Sequence, residues 1–324
     1  MKREFPFPLP YSWFQLAYSE ELGPGEVKPV RYFGRDLVMF RTERGRAQAF
    51  DAFCPHLGAH LGYGGSVVGE TLRCPFHAWR YDCSGACVEI PYAKRIPPAA
   101  HMKTYPTIER NGMIMAWYHP SGEAPRWEIP EIEELSSEDW TTPVRREWTV
   151  RSQTQELAEN TVDQAHFRYV HGTNTVASTE IDWDGPLLRV TAKAIMGTVK
   201  GEADGTIRIL TFGFGFGYTR FSGIVDTLVM TTGTPIDDEH VRMHLSLTWK
   251  RLGDQASTEG VGKAFISEIE RQFTQDIPIW ENKIHLERPV LCDGDGPIGE
   301  LRKWARQFYV EPDGRQWRES SPGS

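Results

Sequence analysis

Between Asp51 and His77 the chain reads DAFCPHLGAHLGYGGSVVGETLRCPFH, which sets Cys54, His56, Cys74 and His77 in the pattern C-x-H, a gap of seventeen residues, C-x-x-H. Two thiols and two imidazoles at this spacing point to a metal centre, because soft sulfur and borderline nitrogen donors gather where a metal holds them. The pattern also limits the fold. Each half is too short to be more than a loop, so two loops must be presented side by side by a rigid frame for the four donors to meet.

Tetrahedral zinc is one reading of four such donors, and it would be structural. The other is a [2Fe-2S] cluster with two Cys on one iron and two His on the other, which would carry electrons. Three local features favour the cluster. Each loop offers one Cys and one His, where zinc sites commonly pair CxxC with HxxxH. Pro55 and Pro75 follow the cysteines and remove an N–H where the chain wraps tightly. Gly58, Gly62, Gly64 and Gly65 allow close backbone approach, with amides free to donate to sulfur.

At 324 residues the chain is long enough for two domains, each with its own core. Hydrophobic content of 40% with 25% charged residues is that of a globular protein. A net charge of −8 without clustered Lys and Arg argues against a nucleic-acid surface. The start, MKREFPFPLPYSWF, is broken by prolines where a signal peptide needs an apolar run, and no later stretch reaches the roughly 18 apolar residues of a membrane span. Five cysteines, an odd number, do not form a disulfide framework. Cys83 and Cys87 read as reduced thiols and Cys292 stands alone, so the expected location is the cytoplasm.

Up to residue 120 the chain alternates short β-rich runs (VKPVRYF, RDLVMFRT, AQAFDAF, MIMAWYH) with turn signals, which predicts a small all-β domain over residues 11–120. The Pro- and Glu-rich PSGEAPRWEIPEIEEL reads as a junction. Over 121–324 one helical segment, SQTQELAENTVDQAHFRYVHG, precedes a long run of strands, and a second helix over 259–286 closes the domain. The fold class is therefore α+β, with a large antiparallel sheet flanked by helices. In ILTFGFGFGYTRF, Phe212, Phe214 and Phe216 are expected on one strand face, with glycines leaving room beside aromatic walls.

A second group of candidate ligands lies in ENTVDQAHFRYVHG, which holds Asn160, Asp163, His166 and His171. On a helix Asp163 and His166 lie about 60° apart on one face. His171, five residues beyond His166, lies about 140° round, so the two imidazoles converge only where the helix ends, and Gly172 is placed to end it. Two histidines and a carboxylate form the facial triad that holds non-haem Fe(II) with positions left open. Periodicity alone does not choose the carboxylate among Glu268, Glu270, Asp276 and Glu281 of FISEIERQFTQDIPIWENKIH.

The segments CPHLGAHLGYG and CPFHAWRYDCSG resemble the two cluster-binding loops of the Rieske family, with Ala59 and Phe76 where respiratory Rieske proteins carry an extra disulfide. ENTVDQAHFRYVH resembles the mononuclear-iron motif of Rieske non-haem iron oxygenases. QDIPIWENK and PVLCDGDGPIGELRKWARQFY are similar to the steroid-acting branch, the oxygenase component of 3-ketosteroid 9α-monooxygenase and, more distantly, the cholesterol 7-desaturases of animals. The resemblance implies a [2Fe-2S] cluster on Cys54, His56, Cys74 and His77 and one Fe(II) on His166, His171 and Asp276. It implies O2 as co-substrate, and NADH electrons delivered by a flavin and iron–sulfur reductase. It further implies a homotrimer, in which Asp163 bridges the cluster histidine His77 of one chain and the iron-ligating His166 of the next. Asn160 stands where the wider family is often acidic and is expected to support the metal without ligating it.

The expected activity is hydroxylation of a C–H bond in an apolar polycyclic, steroid-like substrate. The same site admits desaturation, oxidative cyclisation or a non-steroid ring substrate. From another class, a Rieske electron-transfer protein with an inert second domain is the alternative.

Overall fold

A computed structural model describes residues 6–172, 176–198, 201–223, 225–311 and 313–317. The chain divides into two compact units, Trp13–Pro130 and, with the segment ending at Ser12, Glu131–Ser324. Among the described residues no helix is long and apolar enough to cross a membrane.

In the first unit, β1 (Ser12–Tyr18), β2 (Val27–Tyr32), β3 (Arg35–Arg41) and β4 (Ala47–Asp51) are followed by the short strands β5 (Ser66–Val68), β6 (Thr71–Arg73), β7 (Arg80–Asp82) and β8 (Cys87–Glu89), then β9 (Thr104–Tyr105), β10 (Thr107–Arg110) and β11 (Met113–Tyr118). They form three sheets, β1-β11-β10, β2-β3-β4-β9 and β5-β6-β7-β8. Val38, Phe40, Phe50, Leu61, Leu72 and Tyr81 share one core cluster with Cys54 and Cys74, so the thiols sit at the edge of the hydrophobic core. A buried guanidinium fastens the frame. Arg41 donates to the carbonyls of Leu22 and Gly45 at 2.6 and 2.7 Å and grips Glu109 with two bonds of 2.6 and 2.7 Å. Both partners are satisfied, which is what makes a buried charge tolerable.

The second unit begins with β12 (Val144–Val150), α1 (Thr154–Ala158) and α2 (Ala165–Tyr169). It continues through β13 (Val176–Asp184), β14 (Leu187–Thr198), β15 (Gly201–Phe212), β16 (Phe216–Ser222), β17 (Thr227–Pro235) and β18 (Val241–Trp249) to α3 (Gln255–Asn282) and α4 (Ile298–Ala305). The strands make a seven-stranded antiparallel sheet in the order β12-β18-β17-β16-β15-β14-β13. Helix α3 covers it: Phe265, Ile266, Ile269 and Phe273 pack on Val229, Leu245 and Leu247, and Trp280 packs with Val150, Val241 and Met243.

The α+β reading holds, with three differences in detail. The helix expected over 259–286 runs from 255 to 282, because the Asp254 carboxylate accepts the Ser257 N–H at 2.8 Å and starts it earlier. The single helix expected through 152–172 is broken into α1, a 3₁₀ turn over Glu159–Thr161, and α2. The Asp163 carboxylate breaks it by accepting the N–H groups of Ala165 and His166, a local bond that competes with helix continuation. Phe212, Phe214 and Phe216 do not share a strand face: the chain reverses through Gly213, at φ 61°, so Phe212 and Phe216 face each other across a hairpin with Phe214 in its turn. Gly213 and Gly215 serve the turn, while Gly217 on β16 lines a cavity beside Phe214 and Phe216.

Gly262 on α3 lies against the indole of Trp249, whose Nε1 donates to the Thr258 carbonyl at 2.9 Å, and a Cβ at Gly262 would fall inside that ring. A helix-interior Gly→Ala change ordinarily gains about 1 kcal/mol, whereas overpacking costs about 1–3 kcal/mol. Gly262→Ala should therefore lower stability in denaturant unfolding; a higher midpoint would mean the indole has room to move.

Candidate redox and metal centres

The two ligand loops of the first unit repeat one local device. The Cys54 N–H donates to the Ala59 carbonyl at 2.9 Å and the Gly58 N–H returns to the Cys54 carbonyl at 2.9 Å. The Cys74 N–H donates to the Trp79 carbonyl at 2.8 Å and the Ala78 N–H returns to the Cys74 carbonyl at 3.2 Å. Both turns close through a left-handed residue four positions after the cysteine, Gly58 at φ 74° and Ala78 at φ 57°. Glycine takes that conformation freely and alanine only under constraint from its surroundings.

These turns bring the donors together. Cys54 and Cys74 are buried, and each thiol lies within the other's electrostatic reach. The rings of His56 and His77 are 4.7 Å apart, with His56 stacked on Trp79 at 4.5 Å and 11°. His77 Nδ1 is buried with no hydrogen-bond partner, which an imidazole nitrogen tolerates when it serves as a metal ligand. A pair of neighbouring thiols, a pair of neighbouring imidazoles and one orphaned ring nitrogen fit a [2Fe-2S] cluster. Ala59 and Phe76 leave no disulfide between the loops, and all five cysteines are free.

Tyr81 is a residue the sequence did not single out. Its hydroxyl lies 3.0 Å from Cys54 Sγ, and burial together with that contact pushes its pKa far above the usual phenol value, so it stays a donor. No spacing rule marks a tyrosine on the neighbouring strand as a sulfur partner.

In the second unit His166 lies on α2, His171 just past its end, and Asp276 on α3; one donor atom from each falls within 4.8 Å of the others. His171 Nε2 is 3.4 Å from Asp276 Oδ2, and the two imidazole rings are 5.2 Å apart at 83°. Helix α2 stops at Tyr169 and the His171 N–H reaches back to the His166 carbonyl at 3.4 Å, which holds the second ring beside the first, and Gly172 at φ 68° ends the turn. Each ring has its far nitrogen occupied. His166 Nδ1 faces the backbone carbonyl of Asp163, and His171 Nδ1 lies 3.0 Å from Gln275 Oε1. Both Nε2 atoms are thereby left for a metal.

Burial raises the Asp276 carboxyl while His171, His166 and the Asn160 amide oppose the rise; burial lowers His166. Asn160 Oδ1 accepts the Trp280 Nε1–H at 3.3 Å, which turns its NH2 toward Asp276. The Asp163 carboxylate lies 3.9 Å from His166 Nδ1 and also accepts the N–H groups of Ala165 and His166 at the start of α2. The competing acids are engaged elsewhere: Glu268 with Arg271, Glu270 with Arg146, and Glu281 with the Arg151 backbone. Two imidazoles and one carboxylate, with both ring tautomers set, fit non-haem Fe(II).

A cavity of about 850 Å³ opens on His166, His171 and Asp276. Its walls are mostly apolar, with Val261, Phe265, Ile269 and Phe273 from α3 and Ile209 and Val229 of the sheet, and Thr211, Thr219, Thr231 and Gln272 add polar groups. Phe214 and Phe216 line it as well. Val261 and Asp276 are fifteen positions apart on one helix, so the lined length is about 22 Å at 1.5 Å per residue.

Missed by sequence reasoning was a second buried charge cluster. Glu156 pairs with Lys283 and His285 at 2.6 Å each, and Glu159 with Arg302 at 2.8 Å. Burial pushes Glu156 up, and His285 and Lys283 more than offset it, holding it at about 2. It ties α1 to the segment after α3.

The hydrogen bond from Tyr81 to Cys54 should favour the reduced cluster, in which sulfur carries more charge. Tyr81→Phe is expected to lower the cluster's reduction potential in a redox titration followed by its visible spectrum, with the absorbance itself retained. A potential that does not fall would show that Tyr81 leaves the sulfur unaffected.

Comparison with known proteins agrees with this geometry. Residues 12–106 match the Rieske [2Fe-2S] domain and residues 116–309 match the 3-ketosteroid 9alpha-hydroxylase C-terminal domain. The chain is 33% identical to the oxygenase component of a Rhodococcus rhodochrous 3-ketosteroid-9-alpha-monooxygenase, over 92% of this chain and 83% of that protein. It is 31% identical to a cholesterol 7-desaturase of Ciona intestinalis, over 99% and 73%. Among solved structures, the QL mutant of Pseudomonas putida NdmA with theobromine shares the fold at TM-score 0.74 and 21% identity, covering 91% of this chain and 89% of that one. Dicamba monooxygenase bound to dicamba does so at 0.73 and 18%, covering 92% and 96%. The chain is an oxidoreductase of the Rieske non-haem iron oxygenase family, in the branch that holds the 3-ketosteroid 9α-monooxygenase oxygenase components and the cholesterol 7-desaturases.

Proposed function

We propose that this chain is the oxygenase component of a multicomponent monooxygenase that hydroxylates a C–H bond of an apolar polycyclic, steroid-like substrate. The observation that carries the reading is the long apolar cavity ending on His166, His171 and Asp276. In this reading His166, His171 and Asp276 hold Fe(II), which supplies O2 activation, and Cys54, His56, Cys74 and His77 hold the [2Fe-2S] cluster, which supplies single electrons.

The chain's own residues do the rest. Aromatic and aliphatic walls exclude water and hold a rigid apolar body by burial, so selectivity follows shape more than hydrogen bonding. The carbonyl of Asp163 and the amide oxygen of Gln275 keep a proton on each Nδ1, and each Nε2 stays a lone-pair donor. Asn160 donates to the Asp276 carboxylate and limits its rotation.

The source of electrons is read as an NADH-dependent flavin and iron–sulfur reductase, the partner that an oxygenase component implies. A homotrimer with Asp163 between His77 of one chain and His166 of the next is supported by two features. Leu57, Phe76 and Tyr92 are exposed around the cluster loops, and Ile284, Leu286 and Val290 are exposed after α3, with Val290 at 99%. These exposed apolar side chains would be covered in such an assembly.

Desaturation is the second reading, favoured by the 31% identity to a cholesterol 7-desaturase. With a surrogate reductase, NADH and a panel of 3-ketosteroids, sterols and planar alkaloids, a steroid product heavier by one oxygen atom is expected. A product lighter by two hydrogens would select desaturation, and turnover of a small polar ring with every steroid inert would overturn the substrate reading. His171→Ala should keep the Rieske visible spectrum and lose turnover; retained turnover would remove the second site from the mechanism.

For the assembly, light scattering should give a trimer. Asp163→Asn should slow turnover by about 10–100-fold while the cluster is still reduced by the reductase. An active monomer would contradict the path between chains.

A further inference from the structure

We propose that Gln275 is the positioning residue for His171, and that Arg271 decides which way the Gln275 amide faces. The inference rests on the reading of His166, His171 and Asp276 as the iron ligands and adds to it how one imidazole is held in the ligating form.

A glutamine side chain ends in an oxygen that accepts and an NH2 that donates, nearly equal in shape, so the amide needs something to orient it. Arg271 lies one turn before Gln275 on α3 and only donates. Its Nη1 donates to Gln275 Oε1 at 2.8 Å, and its Nη2 donates to the His171 carbonyl at 3.0 Å. It also grips Glu268, with Nε at 2.9 Å and Nη2 at 2.6 Å, so the guanidinium plane is fixed from the opposite side. A flipped amide would turn NH2 toward a cation and lose the bond.

The same Oε1 lies 3.0 Å from His171 Nδ1. An oxygen already facing a guanidinium can only accept from the imidazole as well, so Nδ1 carries the hydrogen. The lone pair is then on Nε2, the atom 3.4 Å from Asp276 Oδ2. The order of dependence is Glu268, Arg271, Gln275, His171, each step set by a donor that cannot accept or an acceptor that cannot donate.

The two histidines differ in this respect. His166 Nδ1 meets a backbone carbonyl, that of Asp163, which no substitution at residue 163 removes. His171 depends on a side chain, and a neutral one. An amide leaves Asp276 as the carboxylate at the triad, whereas a glutamate at 275 would keep the acceptor and add charge to His171.

The test uses the full chain with its Rieske cluster intact and the mononuclear site emptied by a chelator. Fe(II) affinity is measured anaerobically by competition, and Co(II) absorption reports the ligand geometry. Gln275→Met keeps the bulk and removes the acceptor; it should weaken Fe(II) binding by about 10–100-fold and alter the Co(II) spectrum. Gln275→Glu should restore tight binding, which a merely structural role would not predict. Arg271→Met, which frees the amide to flip, should fall between the two. The Rieske absorbance should stay constant throughout.

Parental affinity in Gln275→Met, or an equal loss in Gln275→Glu, overturns the proposal. If Gln275→Met does not fold, parental affinity in Arg271→Met overturns it. Parental affinity in His171→Ala would bring down the ligand reading itself, whatever the Gln275 variants do; loss there with no loss in Gln275→Met removes this inference alone.

Discussion

A carboxylate buried in an apolar wall is stable only with groups set to answer its charge, and Asp276 meets that condition through contacts from two distant parts of the chain. His171 Nε2 lies 3.4 Å away, and the Asn160 amide reaches it from the turn after α1. Burial alone would favour the protonated acid. The histidines and the amide oppose that rise without cancelling it, which leaves the acid with charge for a bound cation to answer. The surrounding architecture serves this contact. Asp254 starts α3, the helix lies on the sheet through Phe265, Ile269 and Phe273, and Glu156 and Glu159 fasten α1 and its 3₁₀ turn to Lys283 and Arg302 beyond the helix end. α1 and its 3₁₀ turn are thus tied to the segment after α3 and to α4.

The cluster loops solve a similar problem by repetition. Each cysteine closes a turn with the residue five positions on, and each turn passes through a left-handed residue. One loop places its histidine two residues after the cysteine and the other three, so the symmetry is in the backbone and the difference in the side chains. Ala78 holds a conformation that glycine holds in the partner loop. Trp79, which accepts the Cys74 N–H through its carbonyl and stacks on His56, gives Ala78 the surroundings that enforce it.

Much of this was legible in the chain. The donor sets could be named because metal chemistry restricts residue type and spacing, and the β-rich halves could be separated because strands alternate and turns carry Gly, Pro and Asn. What failed was local reading under tertiary influence. The segment 152–172 has helical periodicity, yet the Asp163 carboxylate takes two N–H groups and divides it. FGFGF has strand alternation, yet Gly213 turns it into a hairpin. Tyr81, Gln275 and the Glu156 cluster left no signal, since a hydrogen-bond partner across two elements has no fixed separation in sequence.

The amino-acid sequence by itself determined the chemistry: two cysteines and four histidines of defined spacing, an acid on a late helix, and Lys and Arg without clustering. Those properties belong to residue types and short intervals, which the chain carries whether folded or not. Only the tertiary structure decided which nitrogen of each imidazole is free and where the cavity lies, and only it set Asp276, which the resemblance had singled out from Glu268, Glu270 and Glu281, against the histidines. These depend on distances of about 3 Å between groups a hundred residues apart, and such distances exist only once the sheet and α3 have packed.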